Sequence, residues 1–305
     1  MNDSPRAWVL NLEAEHELER GVRYAPTDHQ RRLVRQQRAR LAPMLLRAND
    51  VLVTGSGLTD REGHRLPAAA AEGLEACAWS PTPSALHRLR AVGAAPPEAP
   101  TLEVLARVNS RPFTARLTDR LDPEALPKAI VDSLEPALEQ LAQPSTHGWL
   151  VRRPFGAAGR GRRRLYTGTP EPAELAWLRT SLAIGPLVIE PFVEIVRETT
   201  RCAWLQSDGR LSIHAPGFQS TTSAGAWIET RPAEPHALNS RDDDRLQNAL
   251  AAAGSSLHDA GYHGPFGIDA FWYRDGNAER LQPLSEVNAR FTMDWSLSSA
   301  PTAAP

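Results

Sequence analysis

The sequence predicts an α/β (α+β) protein built of two or three linked lobes. Three observations predict it. At 305 residues the chain can bury a sizeable core. Its first hundred residues alternate strand, helix and strand periodicity. From residue 148 the pattern turns to closely spaced strands, interrupted by one long helical stretch before a final hairpin.

Taken in order, "AWVLNL" (7–12) is a short apolar strand, "DHQRRLVRQQRARLAPMLLR" (28–47) an arginine-dense helix with a solvated face, and "DVLVTG" (50–55) a second buried strand closed by Gly55. "GAAPPEAP" (93–100) is the best linker, so residues 1–100 are expected to form a small α/β domain. "TLEVLARVNSRPFTARLTDRL" (101–121) and "KAIVDSLEPALEQLAQ" (128–143) both have helical period. Strands are expected in "GWLVRRPF" (148–155), "PLVIEPFV" (186–193) and "TTRCAWLQSDGRLSIHAP" (199–216), a helix in "DDDRLQNALAAAGSSLHDAG" (242–261), and a hairpin in "GIDAFWYRDGNAERLQPL" (267–284). The second large unit then spans 101–295, and 296–305, "SLSSAPTAAP", is expected to be a disordered tail.

Composition narrows the function. With 34 basic and 36 acidic residues and a formal charge of −2, nothing points globally to nucleic acid or an anionic membrane. Lys128 is the only lysine, so arginine fills positions where another protein would use lysine. Cys77 and Cys202 make neither a metal-spaced set nor a disulfide framework. No leader-like apolar run or membrane span is read, and a cytoplasmic setting is expected.

Three stretches carry chemistry. In "RRPFGAAGRGRRRL" (152–165) a strand enters a loop with Gly156, Gly159 and Gly161 and continues into a second strand. Glycines let backbone N–H groups approach a polyphosphate and the flanking arginines add charge; a plain Gly-rich hairpin, or a local RNA-binding patch at Arg160 to Arg164, would read the same. In "PLVIEPFVEIVRE" (186–198) the strand breaks at Glu190-Pro191, which leaves backbone groups suited to an adenine edge, with Glu198 suited to a ribose diol; a strand end with solvated glutamates is the alternative. In "SEVNARFTM" (285–293) Glu286, Asn288 and Arg290 alternate along a strand, either as its wet face or as a site. Asp269, on the other hairpin arm, would join Glu286 and Asn288 in a hard oxygen site for magnesium.

The order of these stretches resembles the ATP-grasp superfamily, over residues 101 to 295, with "EVNAR" the most specific piece. The resemblance implies two α+β lobes clasping ATP, preceded by a small Rossmann-like pre-ATP-grasp α/β domain. It implies Asp269, Glu286 and Asn288 as ligands of one or two Mg²⁺, or Mn²⁺ in its place, and Arg290 as a triphosphate or acylphosphate contact with a catalytic role. It makes Gly156, Gly159, Arg160 and Gly161 the loop over the phosphates, Glu190, Pro191, Phe192 and Val193 the adenine hinge, and Glu198 the ribose carboxylate. Two family lysines are replaced by Arg111 and Arg152, which can hold phosphate bidentately, Arg152 with a catalytic role as well. Between Asp269 and Glu286 the interval is a few residues longer than the family's, with the excess assigned to the turn "RDGNAERLQ".

The implied activity is an ATP-dependent carboxylate–amine ligase working through an acylphosphate, on small-molecule or peptide acids and amines and with no nucleic acid or membrane partner; a homodimer is compatible with it. Arg201 and His214 are candidates for the acceptor side. A non-catalytic ATP-binding module and a small-molecule kinase of the same fold remain open as alternatives.

Overall fold

A computed structural model describes residues 4–21, 25–156, 159–166, 168–222, 225–234 and 237–298. The first lobe holds β1 (Arg6–Val9), α1 (Ala14–Arg20), α2 (Asp28–Leu45), β2 (Val51–Thr54), β3 (Gly57–Thr59), β4 (Glu75–Ala78) and α3 (Pro83–Ala91). Its sheet runs β3-β2-β1-β4, with β1 parallel to both β2 and β4 and only the β3 edge antiparallel. This is the expected βαβ arrangement. Helix α2 starts at a reciprocal cap in which the Thr27 hydroxyl accepts from Gln30 N–H and the Gln30 side chain accepts from Thr27 N–H.

Two short helices follow, α4 (Leu102–Val108) and α5 (Arg111–Leu121). The sequence reads as one helical stretch here, but the helix breaks at Asn109-Ser110. Ser110 caps α5, its hydroxyl accepting from Phe113 N–H, and Pro112 in the first turn cannot donate to a preceding one.

The central lobe comprises β5 (Ala129–Val131), α6 (Leu134–Ala142), β6 (Trp149–Arg152), β7 (Arg162–Leu165), α7 (Pro172–Leu182) and β8 (Leu187–Pro191), with an antiparallel sheet ordered β5-β8-β6-β7. The expected helix at 128–143 is therefore shorter: Ala129–Val131 pair with β8, since Ile130 and Val131 favour strand and the helix starts only at Leu134.

The C-terminal lobe contains β9 (Ile195–Leu205), β10 (Leu211–Ile213), β11 (Gly217–Thr221), β12 (Trp227–Pro232), α8 (Ser240–Asp259), β13 (Gly264–Asp275) and β14 (Ala278–Asn288). Its sheet runs β12-β11-β9-β13-β14, with β10 beside β9. Helices α4, α5 and α8 cover one face, where Leu105, Leu117, Leu250, Leu257, Phe266, Ile268, Leu284 and Val287 form a common core. The β13–β14 connection is a tight turn at Gly276-Asn277 between Asp275 and Ala278. The length between Asp269 and Glu286 is therefore not in the turn as expected: it lies in long strands and in a bulge where Pro283, Leu284 and Ser285 oppose Ala270 alone.

Beyond β14, Phe291 and Trp295 pack with Trp8, Trp79 and Trp204 and fasten the C-terminal lobe to the first. Of the tail, residues 296–298 belong to a 3₁₀ turn, Trp295–Ser298, and 299–305 lie outside the described residues.

Candidate active site

The strand that carries "EVNAR" is the edge of its sheet, and an edge strand leaves one row of backbone groups to be satisfied from outside. Side chains from the α4–α5 segment do this. Val287 N–H donates to Thr114 Oγ1 (3.1 Å), Ala289 N–H to Asn109 Oδ1 (2.9 Å), and the Leu284 carbonyl accepts from Thr118 Oγ1 (3.2 Å). Helix α5 thus fixes β14 from outside while β13 pairs it from inside.

On the inner side Asp269 and Glu286 stand directly opposite in register. Asn288 Nδ2 donates to Asp269 Oδ2 (2.8 Å), and Gln219 Nε2 to its Oδ1 (3.3 Å). Burial, then the neighbouring charges of Glu286 and Asp294, push the Asp269 carboxyl up to about 7. Among the described residues no group of three or more His, Cys, Asp or Glu is placed to hold a metal. The oxygen set here is two carboxylates and an amide, a set that fits magnesium only when phosphate or water oxygens complete it.

Facing these carboxylates are arginines. Arg111, the first residue of α5, pairs with Glu286 and donates from Nη2 to the Gly156 carbonyl (3.2 Å), joining β14 to the glycine loop. Arg152 pairs with Glu190 (Nε–Oε1 2.6 Å), both largely buried. Arg162 also lines the cavity, and burial together with Arg152 and Arg111 lowers its pKa. The Arg153 side chain turns to α7, where it donates to Ser181 Oγ (2.8 Å) and lies over Trp177.

Between β6 and β7 the loop is strand–loop–strand, as expected. Gly161 has φ of 74° and a Cβ there would stand 2.8 Å from the Phe155 carbonyl, so only glycine lets the two arms approach this closely. Residues 157 and 158 lie outside the described residues.

A cavity of about 290 Å³ joins these parts. Its lining includes Arg111, Arg152, Gly156, Gly159, Arg160, Gly161, Glu198, Asp269, Glu286, Asn288 and Arg290, so residues spread over 180 positions of sequence converge. Glu190, Pro191, Phe192 and Val193 do not line it, and the Phe192 N–H is already given to the Gly148 carbonyl (2.9 Å). Arg290 lies past the end of β14, where its Nε and Nη2 both meet Glu15 Oε1 (2.9 and 2.8 Å) and its Nη1 the Phe291 carbonyl (3.1 Å). It shares the cavity with Glu286 and Asn288 but not their strand geometry.

Arg201 and His214 do not reach the cavity, contrary to expectation. Arg201 faces away toward α8, pairing with Asp243 (2.9 Å), and the buried His214 packs at a tilt against Trp295 (4.6 Å between centroids). Arg163 and Arg164 of the basic run lie over Trp177 and over Tyr166 and Phe192.

Sequence reasoning missed several lining residues: Glu15, Gln37, Arg40 and Trp79 from the first lobe, and Gln219, Trp227 and Asp294 from the C-terminal lobe. Asp294, four residues after Arg290, was the one with a local signal. Nothing local marks Glu15.

The topology decides the class. A small βαβ lobe, an antiparallel central lobe with a glycine loop, and a C-terminal sheet whose edge hairpin presents Asp269, Glu286 and Asn288 stand in this order around one cavity. The chain has the ATP-grasp fold. No protein-family model matches the sequence, and no curated protein matches it either. Solved ATP-grasp structures do match in shape. Biotin carboxylase from Campylobacter jejuni, in a β,γ-ATP complex, superposes with a TM-score of 0.57 at 13% identity, over 97% of this chain and 67% of that one. N5-carboxyaminoimidazole synthetase from Staphylococcus aureus, complexed with ADP, gives 0.53 at 10% identity over 96% and 73%. D-alanyl-alanine synthetase A from Vibrio cholerae gives 0.51 at 16% identity over 93% and 88%. At these identities the ATP-grasp likeness is one of fold.

Proposed function

We propose that this ATP-grasp chain is an ATP-dependent carboxylate–amine ligase that forms an amide or peptide bond through an acylphosphate. The observation that carries the reading is a charge conflict across one cavity. Arg111, Arg152 and Arg162 line it beside Asp269, Glu286 and Asp294; burial, then Arg152 and Arg111, lower the Arg162 pKa, and burial, then Glu286 and Asp294, raise that of Asp269. A polyphosphate with a bound divalent cation relieves both sides at once.

On this reading residues 1–100 are the preceding domain and 101–295 the ATP-grasp unit, acting on small-molecule or peptide substrates in the cytoplasm. Arg111, Arg152, Arg160 and Arg162 hold the phosphates with the loop Gly156 to Gly161, and Arg111 leaves Glu286 to do so. Glu198, which lines the cavity, takes the ribose, while Glu190 to Val193 stand outside it. Asp269, Glu286 and Asn288 hold Mg²⁺ or Mn²⁺, which when bound neutralises charge on the transferring phosphoryl group. The substrate carboxylate oxygen takes the γ-phosphoryl as the bond to the β-phosphate oxygen breaks, releasing ADP. The amine nitrogen then attacks the acyl carbon, phosphate leaves, and the nitrogen's proton passes to phosphate or water. Arg290, held by Glu15, meets the acylphosphate on this reading.

An ADP-release screen over acids and amines tests this. Acid alone should give little ADP, the right amine should start turnover, and hydroxylamine should trap a hydroxamate. A stable phosphorylated product without amine, and no hydroxamate, would indicate a kinase. ADP binding with no turnover under any condition would leave a non-catalytic module.

A further inference from the structure

Lys128 is the only lysine in a chain of 305 residues, and none of the roles above uses it. It stands immediately before β5, at the start of the central lobe, and its ammonium points out of that lobe. Nζ donates to Thr118 Oγ1 on α5 (3.1 Å) and to the Leu284 carbonyl on β14 (3.2 Å).

That carbonyl lies in the bulge that precedes Glu286. Pro283 has no N–H to give, and the edge of β14 has no strand beyond it, so side chains must hold the bulge. Lys128 and Gln282 Nε2 (2.8 Å) converge on the Leu284 oxygen, with the Thr118 hydroxyl beside it (3.2 Å) and shared with the Thr114 carbonyl (2.9 Å). Gln282 Oε1 in turn accepts from Leu126 N–H (2.8 Å), so residues 126–128 are tied twice to the strand that carries Glu286.

The register of Glu286 against Asp269 is set two residues beyond this knot. On its other side the ammonium lies in the fields of Glu190, the partner of Arg152, and of Asp119, opposed by Arg152 and Arg111. Burial pushes its pKa down to about 8, so near neutral pH it is a charge held at a cost and compensated by these contacts.

We propose that Lys128 is a positioning residue that couples the two halves of the site, holding the metal-bearing strand through the Leu284 carbonyl from the central lobe that carries the phosphate-binding arginines. This rests on the nucleotide and metal assignment above. In that arrangement a nucleotide engaging Arg152 and the glycine loop also steadies the register of Glu286. A cation at Asp269 and Glu286 steadies the central lobe in return, because coupling between two sites is reciprocal.

The test is calorimetric titration of ADP with EDTA and with saturating Mg²⁺, on the wild type, Lys128→Met and Lys128→Arg, with no turnover required. The wild type is expected to bind ADP more tightly with Mg²⁺. Lys128→Met should keep its affinity in EDTA within roughly threefold and lose most of the Mg²⁺-dependent gain, a drop in coupling of about tenfold. Lys128→Arg, which keeps the charge and a donor, should recover part of it. If Lys128→Met does not fold, Thr118→Val removes the hydroxyl that braces the ammonium and should lower the same coupling less. Wild-type coupling retained in Lys128→Met, or in Thr118→Val when that stands in for it, overturns the proposal. Failure of the wild type to bind ADP at all overturns the nucleotide assignment, and this proposal with it.

Discussion

Arg111 and Glu286 form an ion pair that closes the cavity from one side: the first residue of α5 reaches the strand position opposite Asp269. The pair joins a phosphate-binding candidate to a metal-ligand candidate, so each waits on the ligand of the other. Glu286→Gln keeps the shape, removes the charge and frees Arg111. Mg²⁺-dependent turnover should vanish while thermal stability stays close to wild type. Normal ATP-dependent turnover in this variant would show that the metal does not sit there.

Arg152 and Arg153 are neighbours with opposite duties. Arg152→Ala should weaken ADP binding by about 1.5–3 kcal/mol, the range for hydrogen bonds to charged groups. It also strands the buried Glu190, and breaking a buried pair costs about 3–5 kcal/mol of stability. Arg153 also borders the cavity, but its guanidinium is committed to Ser181 and the Trp177 face, so Arg153→Ala should change ADP affinity much less. Equal affinity losses at both positions, measured by titration, would contradict the assigned strand facing.

The Glu15–Arg290 pair links the first lobe to the segment just past β14, with side chains 13% and 17% exposed. Glu15→Ala and Arg290→Ala should each destabilise the protein and reduce turnover. In a double-mutant cycle the two should be non-additive by about 0.5–3 kcal/mol, as for residues in direct contact. Additive losses in denaturant unfolding would mean that the pair carries no net interaction.

Asp269 predicts a pH dependence whose sign can be worked out. Its carboxyl rises from 3.8 in the unfolded chain to about 7 in the folded one. The native state therefore holds more protons between these values, and its stability falls as pH rises through that window. In EDTA the wild type should lose melting temperature between pH 4 and 7 more steeply than Asp269→Asn, and Mg²⁺ should flatten the wild-type slope. Parallel curves for the two proteins would remove Asp269 as the cause.

How much of this was legible in the sequence follows from what is local. The β13–β14 hairpin, the glycine loop between two strands and helix α8 were readable because each is written in consecutive residues: alternating apolar positions, turn residues and 3.6-residue periodicity. The side-by-side placement of Asp269, Glu286 and Asn288 followed from strand geometry once the hairpin was recognised. The short strand β5 and the break between α4 and α5 were not read, since Ala129–Val131 and Asn109-Ser110 sit inside apolar patterns that also fit a helix, and tertiary pairing and capping decide between them.

Only the tertiary structure decided the partners. Arg201 lies on β9 as expected and His214 just past the end of β10, yet what each meets depends on packing against α8 and Trp295, which the local pattern does not state. Glu15 and Arg290 are 275 positions apart, and Lys128 and Leu284 are 156 apart. Such contacts exist because the lobes dock and because an edge strand with a proline-containing bulge must have its carbonyls satisfied from elsewhere in the chain. The sequence by itself determined which groups a strand or loop can present. The fold determined which of them face one another, because charge and hydrogen-bond complementarity between distant segments arises only when burial of their apolar faces brings those segments together.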